Sequence, residues 1–199
     1  MRGSQYIDGV VLAAGRSRRM GRSKAQLEAA NGQTFIEHAV HRLREAGCRY
    51  VLAVVNDAED WTARLADVSG AAVVVNDREN SQQIDSIRLA MDKLPEDSGA
   101  MVVLPVDYPE IRTETIAAVI DEFRRASPLV VVASYRGELG HPVLFSRSVY
   151  SELLEDLPNG AETLVREHRC RMNVEVDDPG VVQDVDTPDA YEEYLNRSS

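Results

Sequence analysis

The amino-acid sequence predicts a single α/β domain in three layers, with a mostly parallel, doubly wound sheet between two layers of helices. Two patterns carry this prediction. Short apolar runs of strand length alternate with amphipathic segments of helical period, and the connections between them are short. The strand runs are apolar throughout, which indicates strands that are buried on both faces, as in parallel sheets. A chain of 199 residues with 44% apolar residues is sufficient for one domain with a sizeable core.

The elements follow one another regularly over the first two thirds of the chain. Phe35, Ala39 and Leu43 recur every four residues ahead of Gly47, which predicts the clearest helix, at residues 34–46. By the same criteria, further helices are predicted at residues 57–67, 83–94 and 113–125, and strands at residues 9–14, 50–55, 71–75, 100–104 and 129–133.

The last third of the chain is less regular. It predicts a short strand at residues 142–145, helices at 146–157 and 161–168, strands at 172–176 and 181–185, and a closing helix at 188–196. No linker is long enough to divide the chain. We therefore expect one domain over residues 6–196, with flexible ends at 1–5 and 197–199.

The charge of the chain argues against a nucleic acid or a membrane as its partner. The formal net charge is −11, and an acidic chain binds nucleic acid poorly because that affinity depends on neutralising phosphates. The sequence contains no apolar run of about 18 residues and no secretory signal, so we expect a cytoplasmic protein. Cys48 and Cys170 are accordingly expected to be free thiols.

One short loop is basic against this acidic background. Five of the 22 basic residues fall in it: Arg16, Arg18, Arg19, Arg22 and Lys24. The loop also contains Gly15 and Gly21, which allow the backbone to approach a ligand and to present N–H groups to phosphate oxygens. It follows the first predicted strand, and ligands of open parallel sheets bind at the carboxyl ends of the strands. The pattern therefore indicates a site for a small anion.

The loop is open to other interpretations. The spacing of its glycines and lysine differs from that of a Walker A loop and from that of a dinucleotide-binding fingerprint. A solvated basic loop without a function is the remaining alternative. It would leave the coincidence of glycines and cations after a buried strand unexplained.

Carboxylates follow two of the predicted strands. Asp107 comes after the fourth strand and just before Pro109, where aspartate is also a common turn former or helix cap. Next to a phosphate-binding loop it is a candidate ligand of Mg²⁺, which binds one or two carboxylates together with phosphate oxygens. If the chain is extended at residues 184–186, alternation would put Asp184 and Asp186 on one face.

The run from Leu12 to Lys24, L-A-A-G-R-S-R-R-M-G-R-S-K, resembles the signature of nucleotidyltransferases with the Rossmann-like, GT-A-type fold. Within them it most resembles the MobA-like NTP transferases that act on molybdenum cofactor. Members that use GTP have L-A-G-G, whereas those that use CTP commonly have L-A-A-G, so the resemblance implies a cytidylyltransferase with CTP favoured over GTP. It implies nucleotide contacts from Leu12, Ala13, Ala14, Gly15, Arg16, Arg19, Gly21 and Lys24.

The resemblance extends to the acidic positions. Asp107 matches the metal aspartate of the family's D-x-P motif, and the stretch D-V-D-T-P-D-A-Y resembles its closing motif. This implies Asp186 as the second ligand of Mg²⁺ and Asp184 as a supporting neighbour on the acceptor side. It also implies that Asp107 acts in catalysis together with Arg19 and Lys24, which bind the triphosphate.

Other segments resemble the parts of the family that hold the base and the acceptor. Gly140, His141 and Pro142 match the G-x-P-v-l-F segment near the acceptor, where His141 is either a contact to a phosphate or pterin or an ordinary loop histidine. Gln82 and Ser86 fall in the base-binding segment, although Gln82 would equally well cap a helix. The turn at residues 159–162 departs from the family's G-D-x-G-A-R pattern, so it does not identify the acceptor.

These features predict the Mg²⁺-dependent transfer of a nucleoside monophosphate, CMP from CTP, to a phosphate of a molybdopterin-type acceptor. An acceptor phosphate is already anionic at neutral pH and needs no catalytic base, so positioning and electrostatic stabilisation suffice. A sugar- or polyol-phosphate nucleotidyltransferase is the alternative within this class. A non-catalytic nucleotide- or cofactor-binding delivery protein, or a flavodoxin-like binding module, is the alternative outside it. A molybdoenzyme or a delivery protein is the expected protein partner.

Overall fold

The computed structural model describes residues 6–15, 17, 19–57 and 61–198. Within them, one seven-stranded sheet has the strand order β3-β2-β1-β4-β6-β5-β7. The strands are β1 (Tyr6–Ala13), β2 (Val51–Val55), β3 (Ala72–Val75), β4 (Ser98–Pro105), β5 (Val130–Tyr135), β6 (Glu138–Ser146) and β7 (Arg171–Glu175). The helices are α1 (Phe35–Glu45), α2 (Trp61–Val68), α3 (Gln83–Lys93), α4 (Thr113–Ala126), α5 (Tyr150–Leu153), α6 (Ala161–Glu167) and α7 (Pro188–Ser198).

Helices cover both faces of the sheet. One core cluster lies between the sheet and α1, α2, α4 and α7, and the other lies between the sheet and α3, α5 and α6. Among the described strands, only β6 runs antiparallel to its neighbours, β4 and β5. The predicted single domain with three layers and a mostly parallel, doubly wound sheet is therefore confirmed. No helix in the described ranges combines the length and the hydropathy needed to cross a membrane.

The central strand β1 shows why the strand runs are apolar at consecutive positions. It pairs in parallel with β2 on one side and with β4 on the other, and the register places Leu12 beside Pro105. Because helices also cover both faces, the side chains from Ile7 to Ala13 are all buried. Asp8 is buried too and is the only charged residue of this strand. The guanidinium of Arg49 pairs with its carboxylate at 3.2 Å.

The strand predicted at residues 142–145 is longer than expected. β6 begins at Glu138, directly after a tight turn in which Arg136 and Gly137 have φ angles of 52° and 80°. Two consecutive residues with positive φ are typical of a two-residue β-hairpin turn. The hairpin extends β6 and places Gly140 and His141 within it.

The helix predicted at residues 146–157 is wrong over most of its length. Only α5 forms there, after a 3₁₀ turn at Arg147–Val149. Arg88 of α3 donates hydrogen bonds to the carbonyl oxygens of Leu153 and Glu155, at 2.8 Å and 2.6 Å. The side chain of Leu154 is also exposed, so a longer helix would bury little additional apolar surface.

The strand predicted at residues 181–185 is also wrong. The chain forms a 3₁₀ turn at Pro179–Val182 and then continues without a sheet partner. This segment packs on β6, and both edges of β6 are already paired with β4 and β5. The backbone N–H of Val185 instead donates to the carbonyl oxygen of Asp107 at 2.8 Å.

Gly140 permits this crossing. A Cβ added at Gly140 would lie 2.0 Å from the carbonyl oxygen of Val181. We expect Gly140→Ala to lower the free energy of unfolding by about 1–3 kcal/mol, the usual cost of an overpacked substitution, as measured by urea denaturation. Gly15→Ala is the matched control because an added Cβ there meets nothing within 4 Å. Wild-type stability of Gly140→Ala would contradict this close packing.

The closing helix is longer than predicted. α7 continues to Ser198, and Arg197 within it pairs with Glu110 at 2.8 Å. The flexible end predicted at residues 197–199 stays a prediction. Residues 1–5 and 199 lie outside the described residues.

Candidate nucleotide and metal site

The carboxyl ends of β1 and β4 bring two of the predicted site segments together. The backbone N–H of Val106 donates to the carbonyl oxygen of Leu12 at 3.1 Å, so Asp107 follows beside the loop after β1. A cavity of about 40 Å³ lies between the two segments. Its lining comprises Leu12, Ala13, Gly15, Ser17, Lys24, Ala25, Val106 and Asp107.

Ser17 organises the loop after β1. It has a φ angle of 47°, and its carbonyl oxygen accepts hydrogen bonds from the backbone N–H groups of Met20 and Gly21. Its hydroxyl accepts a hydrogen bond from the backbone N–H of Lys24 at 3.0 Å. These bonds fix the position of Lys24 relative to β1. Sequence analysis missed Ser17, although a serine within a tight loop is itself a signal for such local bonds.

The structure explains the two glycines of the loop in different ways. Gly21 has a φ angle of +74°, in the left-handed region that favours glycine. Gly15 is exposed at the small cavity, and an added Cβ would meet nothing within 4 Å. The fold therefore accounts for glycine at position 21, whereas at position 15 it leaves open space beside the cavity.

Lys24 lies between the two predicted metal ligands. Its Nζ donates to Asp107 Oδ2 and to Asp186 Oδ1, each at 2.5 Å, and its side chain is only 13% exposed. Burial by itself lowers the pKa of the amine, but the two carboxylates outweigh this effect and raise the pKa above its usual value. Lys24 is therefore a fixed positive charge at neutral pH.

Arg19 adds a second cation to the same carboxylate. Its guanidinium pairs with Asp186 from a side chain that is 74% exposed. Burial raises the pKa of Asp186, but Lys24 and Arg19 outweigh it and hold that pKa below its usual value. The structure thus brings together Arg19, Lys24, Asp107 and Asp186, all of which the sequence singled out.

Asp184 completes a cluster of three carboxylates. One oxygen atom from each of Asp107, Asp184 and Asp186 lies within 4.8 Å of the others. Burial and the negative charges of Asp186 and Asp107 raise the pKa of Asp184. Three carboxylate oxygens in one cleft fit a divalent cation that prefers oxygen ligands. No strand forms at residues 181–185. Asp184 and Asp186 nevertheless lie in one cluster, on either side of the buried Val185.

His141, which lies in the segment predicted to be near the acceptor, packs against Tyr108. Their ring centroids are 4.6 Å apart in an edge-to-face arrangement, and the His141–Pro142 peptide bond is cis. Burial lowers the pKa of His141 to about 4, against the opposing effect of Asp107. In the described structure, Nδ1 of this ring is buried without a hydrogen-bond partner. Tyr108, the residue between Asp107 and Pro109 in the D-x-P motif, is thus part of the site.

A larger cavity of about 280 Å³ adjoins these two rings. Gly140 and His141 of β6 line it together with Gln83 of α3 and with Glu162 and Arg166 of α6. Arg166 Nε pairs with Glu162 Oε1 at 2.5 Å. The segment that resembles the family's acceptor region therefore lines this cavity.

The two predicted base contacts lie differently. Gln83 rather than Gln82 lines the larger cavity, and the backbone N–H of Gln82 donates to Asp85 Oδ2 at 2.9 Å at the start of α3. Ser86 is buried, and its hydroxyl accepts a hydrogen bond from Asn76 Nδ2 at 2.9 Å. These contacts give Gln82 and Ser86 structural roles at the start of α3.

The remaining arginines of the basic loop are not equivalent. Arg22 lies over the ring of Tyr191 in α7, with 5.3 Å between its guanidinium carbon and the ring centroid. Arg16 and Arg18 lie outside the described residues. The predicted contact of Arg16 with the nucleotide stays a prediction, and the role of Arg18 stays open.

The low pKa of His141 predicts a loss of stability in acid. In the unfolded chain, the histidine has a pKa of ~6.5 and binds a proton below that pH. The native ring, with a pKa of about 4, stays neutral until the pH falls to about 4. Stability therefore falls as pH falls through this window. We expect His141→Gln to weaken the change in urea midpoint between about pH 7 and about pH 5.

His168→Gln is the control, because His168 pairs with Glu152 at 3.4 Å and does not line the cavity beside His141. Some acid dependence remains in His141→Gln, since burial and Arg42 also lower the pKa of His38 to about 4. An unchanged pH dependence in His141→Gln would contradict a neutral His141.

Residues 9–172 match the model of a protein family described as the MobA-like NTP transferase domain. The chain belongs to this family. The resemblance drawn from the Leu12 to Lys24 run is therefore confirmed, and the chain is a nucleotidyltransferase.

Two similar proteins span nearly the whole chain. The molybdenum cofactor guanylyltransferase of Shewanella amazonensis is 27% identical over 197 residues, which cover 96% of this chain and 96% of that protein. The nicotine blue oxidoreductase of Paenarthrobacter nicotinovorans is 24% identical over 191 residues, which cover 91% of this chain and 92% of that protein. These two relatives have different names. The nucleotide and the acceptor of this chain must therefore be inferred from its own site residues.

Among solved structures, Rv0371c from Mycobacterium tuberculosis H37Rv is similar over its full length. It has a TM-score of 0.81 and 28% identity, covering 97% of this chain and 99% of that chain. A structure of Rv0371c in complex with manganese has a TM-score of 0.76 and 27% identity, covering 96% and 98% of the two chains. Manganese is a divalent cation of the kind that the cluster of Asp107, Asp184 and Asp186 fits.

Proposed function

We propose that this nucleotidyltransferase transfers CMP from CTP to a phosphate of a molybdopterin-type acceptor, with Mg²⁺ as its metal and pyrophosphate as the second product. The observation that carries the proposal is the contact of Lys24 with both Asp107 and Asp186, beside Asp184. A cleft that combines fixed cations with three carboxylates suits a triphosphate bound together with a divalent cation.

The charged residues divide the work. Arg19 and Lys24 bind the triphosphate and stabilise the charge that develops on the departing pyrophosphate. Asp107 and Asp186, with Asp184 beside them, hold the metal, which when bound supplies charge neutralisation at the phosphates. The open space at Gly15 supports a close approach of the backbone N–H groups to phosphate oxygens.

The acceptor occupies the larger cavity. Its phosphate is the nucleophile and is ionised at neutral pH, so the reaction needs no strong base. With a pKa of about 4, His141 is a weak base and is suited to hydrogen bonding instead. Arg166, one helical turn after Glu162 and paired with it, is the basic residue that lines this cavity.

Pyrophosphate release tests the proposal. CTP, GTP, ATP and UTP are each supplied with molybdopterin or with simple sugar phosphates, in Mg²⁺ and after chelation. We expect the fastest release with CTP, molybdopterin and Mg²⁺, and none after chelation. Release with sugar phosphates alone would identify the alternative acceptor class. Binding of CTP without release would contradict catalysis and would identify a delivery protein.

The choice of base is tested at Ala14, which the resemblance associates with CTP. The residue is half-buried beside the second core cluster, so removing its methyl group perturbs little else. We expect Ala14→Gly to raise the ratio of kcat/KM for GTP to that for CTP by about tenfold. Ala126→Gly, at the exposed end of α4, is the control. An unchanged ratio in Ala14→Gly would remove Ala14 from base selection.

A further inference from the structure

A further cavity lies behind the loop that carries Asp107. It has a volume of about 370 Å³ and is bounded by α1, by the residues after β4, by the turn before Val181 and by α7. Small-molecule sites commonly measure roughly 300–1,000 Å³. We call it the Arg42 cavity, after the α1 residue that lines it together with His38. It shares no lining residue with the cavities at Lys24 and at His141.

Two buried polar atoms of this cavity have no hydrogen-bond partner. They are Arg42 Nη1 and His38 Nε2, two of the four such side-chain atoms in the described ranges. Buried donors without partners cost free energy, so native structures seldom keep them without another reason. Their occurrence on successive turns of α1, beside one cavity, indicates that a ligand supplies the missing acceptor.

Asn31 determines which nitrogen of His38 carries the proton. Asn31 Oδ1 accepts from the backbone N–H of Gln33 at 3.1 Å, which fixes the orientation of the amide. Its Nδ2 then donates to Gln33 Oε1 at 2.8 Å and faces His38 Nδ1 at 3.2 Å. His38 Nδ1 is therefore an acceptor, and the proton of the neutral ring lies on Nε2.

Burial and the neighbouring Arg42 lower the pKa of His38 to about 4, so the ring is neutral at physiological pH. The Pro109 carbonyl group favours the charged ring, but it does not meet hydrogen-bond geometry at Nε2. The Nε2–H group is thus a neutral donor whose contact with the Pro109 carbonyl group falls outside hydrogen-bond geometry, and it lies on the same helix as the cationic donor of Arg42.

The carboxylates that line the cavity are already engaged. Asp178 accepts hydrogen bonds from Thr115 Oγ1 at 2.6 Å, from the backbone N–H of Arg112 at 2.9 Å and from that of Gly180 at 3.1 Å. Glu110 pairs with Arg197. Over the described residues, Arg42 forms no ion pair. Burial lowers the pKa of its guanidinium, and the charges of Tyr194 and Asp178 only partly oppose this effect.

We propose that the Arg42 cavity binds a small metabolite through an oxyanion, a carboxylate or a phosphate, that accepts hydrogen bonds from Arg42 Nη1 and His38 Nε2. Guanidinium and imidazole N–H groups suit oxyanions, and an oxyanion would give the Arg42 guanidinium the direct ion pair that it lacks among the described residues. The cavity is larger than a single anion and accommodates the rest of such a molecule. This site is independent of the proposed nucleotidyl transfer.

The test uses the imidazole NMR signals of the full chain, which has four histidines. Inorganic phosphate and acetate are titrated separately, and the His38 signal is assigned by its loss in His38→Gln. We expect a saturable shift of the His38 signal with at least one of the two anions. In Arg42→Met, which preserves the length of the side chain, the affinity should fall by about tenfold or more, as for a lost charge-assisted hydrogen bond.

Lys24→Ala separates the two sites. Anions that bind near Lys24 should shift the His141 signal, and this effect should weaken in Lys24→Ala while the His38 shift persists. A shift with phosphate alone identifies a phosphate ligand, and a shift with acetate alone identifies a carboxylate. The proposal is overturned if neither anion shifts His38 saturably, or if Arg42→Met retains wild-type affinity. If Arg42→Met does not fold, Arg42→Lys keeps the charge but loses the planar donor pair and should weaken the same shift.

Discussion

Lys24→Ala is expected to lower kcat/KM for pyrophosphate release by about 10²- to 10³-fold, the usual effect of removing one preorganised donor from a transition state. The reason is that Lys24 is a fixed charge at the mouth of the loop after β1, held by bonds to Asp107 and Asp186 at 2.5 Å. Steady-state assays with CTP and excess Mg²⁺ measure the effect.

The chain offers a matched control, because Lys93 is its only other lysine. Lys93 is exposed at the end of α3 and pairs with Asp92 at 2.9 Å, so Lys93→Ala should retain wild-type turnover. Normal turnover in Lys24→Ala would remove Lys24 from catalysis.

The same variant should change the affinity for metal. The ammonium group of Lys24 contacts oxygens of two carboxylates that a divalent cation would also use. Removing it leaves three carboxylates in one cleft with less compensating charge. Calorimetric titration with Mn²⁺ should therefore give tighter binding to Lys24→Ala than to the wild type. Equal affinities would show that Lys24 and the metal do not compete.

Asp107→Asn is expected to lower turnover by at least about 10²-fold and to raise the Mg²⁺ concentration needed for half-maximal rate. Asparagine has the shape of aspartate but lacks the charge, so the change removes one anionic ligand from the cluster. It also removes one of the two anionic partners of Lys24. Rates measured across a Mg²⁺ titration separate a lost metal ligand from a general loss of activity.

Asp67→Asn is the control for Asp107→Asn, since Asp67 is exposed near the end of α2 and far from the cluster in sequence. Near-ultraviolet circular dichroism should be the same for both variants and the wild type. An Asp107→Asn enzyme with the wild-type dependence on Mg²⁺ would place the metal elsewhere.

Local patterns predicted most of the fold because most elements here are stabilised in the way their periodicity indicates. β1 lies between two parallel neighbours and under two helical layers, so its consecutive apolar residues are all buried. α1 buries Phe35, Ala39 and Leu43, the three residues that predicted it. Where tertiary contacts outweigh local preference, the predictions were wrong. Hydrogen bonds from Arg88 occupy carbonyl groups near the end of α5.

The sequence by itself determined the family, the basic loop and the positions of Asp107 and Asp186, because a family signature and a strand end are local features. Only the tertiary structure decided that Lys24 contacts carboxylates 83 and 162 positions away, and that Asp184 joins them. It also decided that two atoms beside a cavity, Arg42 Nη1 and His38 Nε2, are buried without a hydrogen-bond partner. The physical reason is that charge pairing, burial and pKa depend on distances between side chains, and these are set by the packing of helices and loops on the sheet.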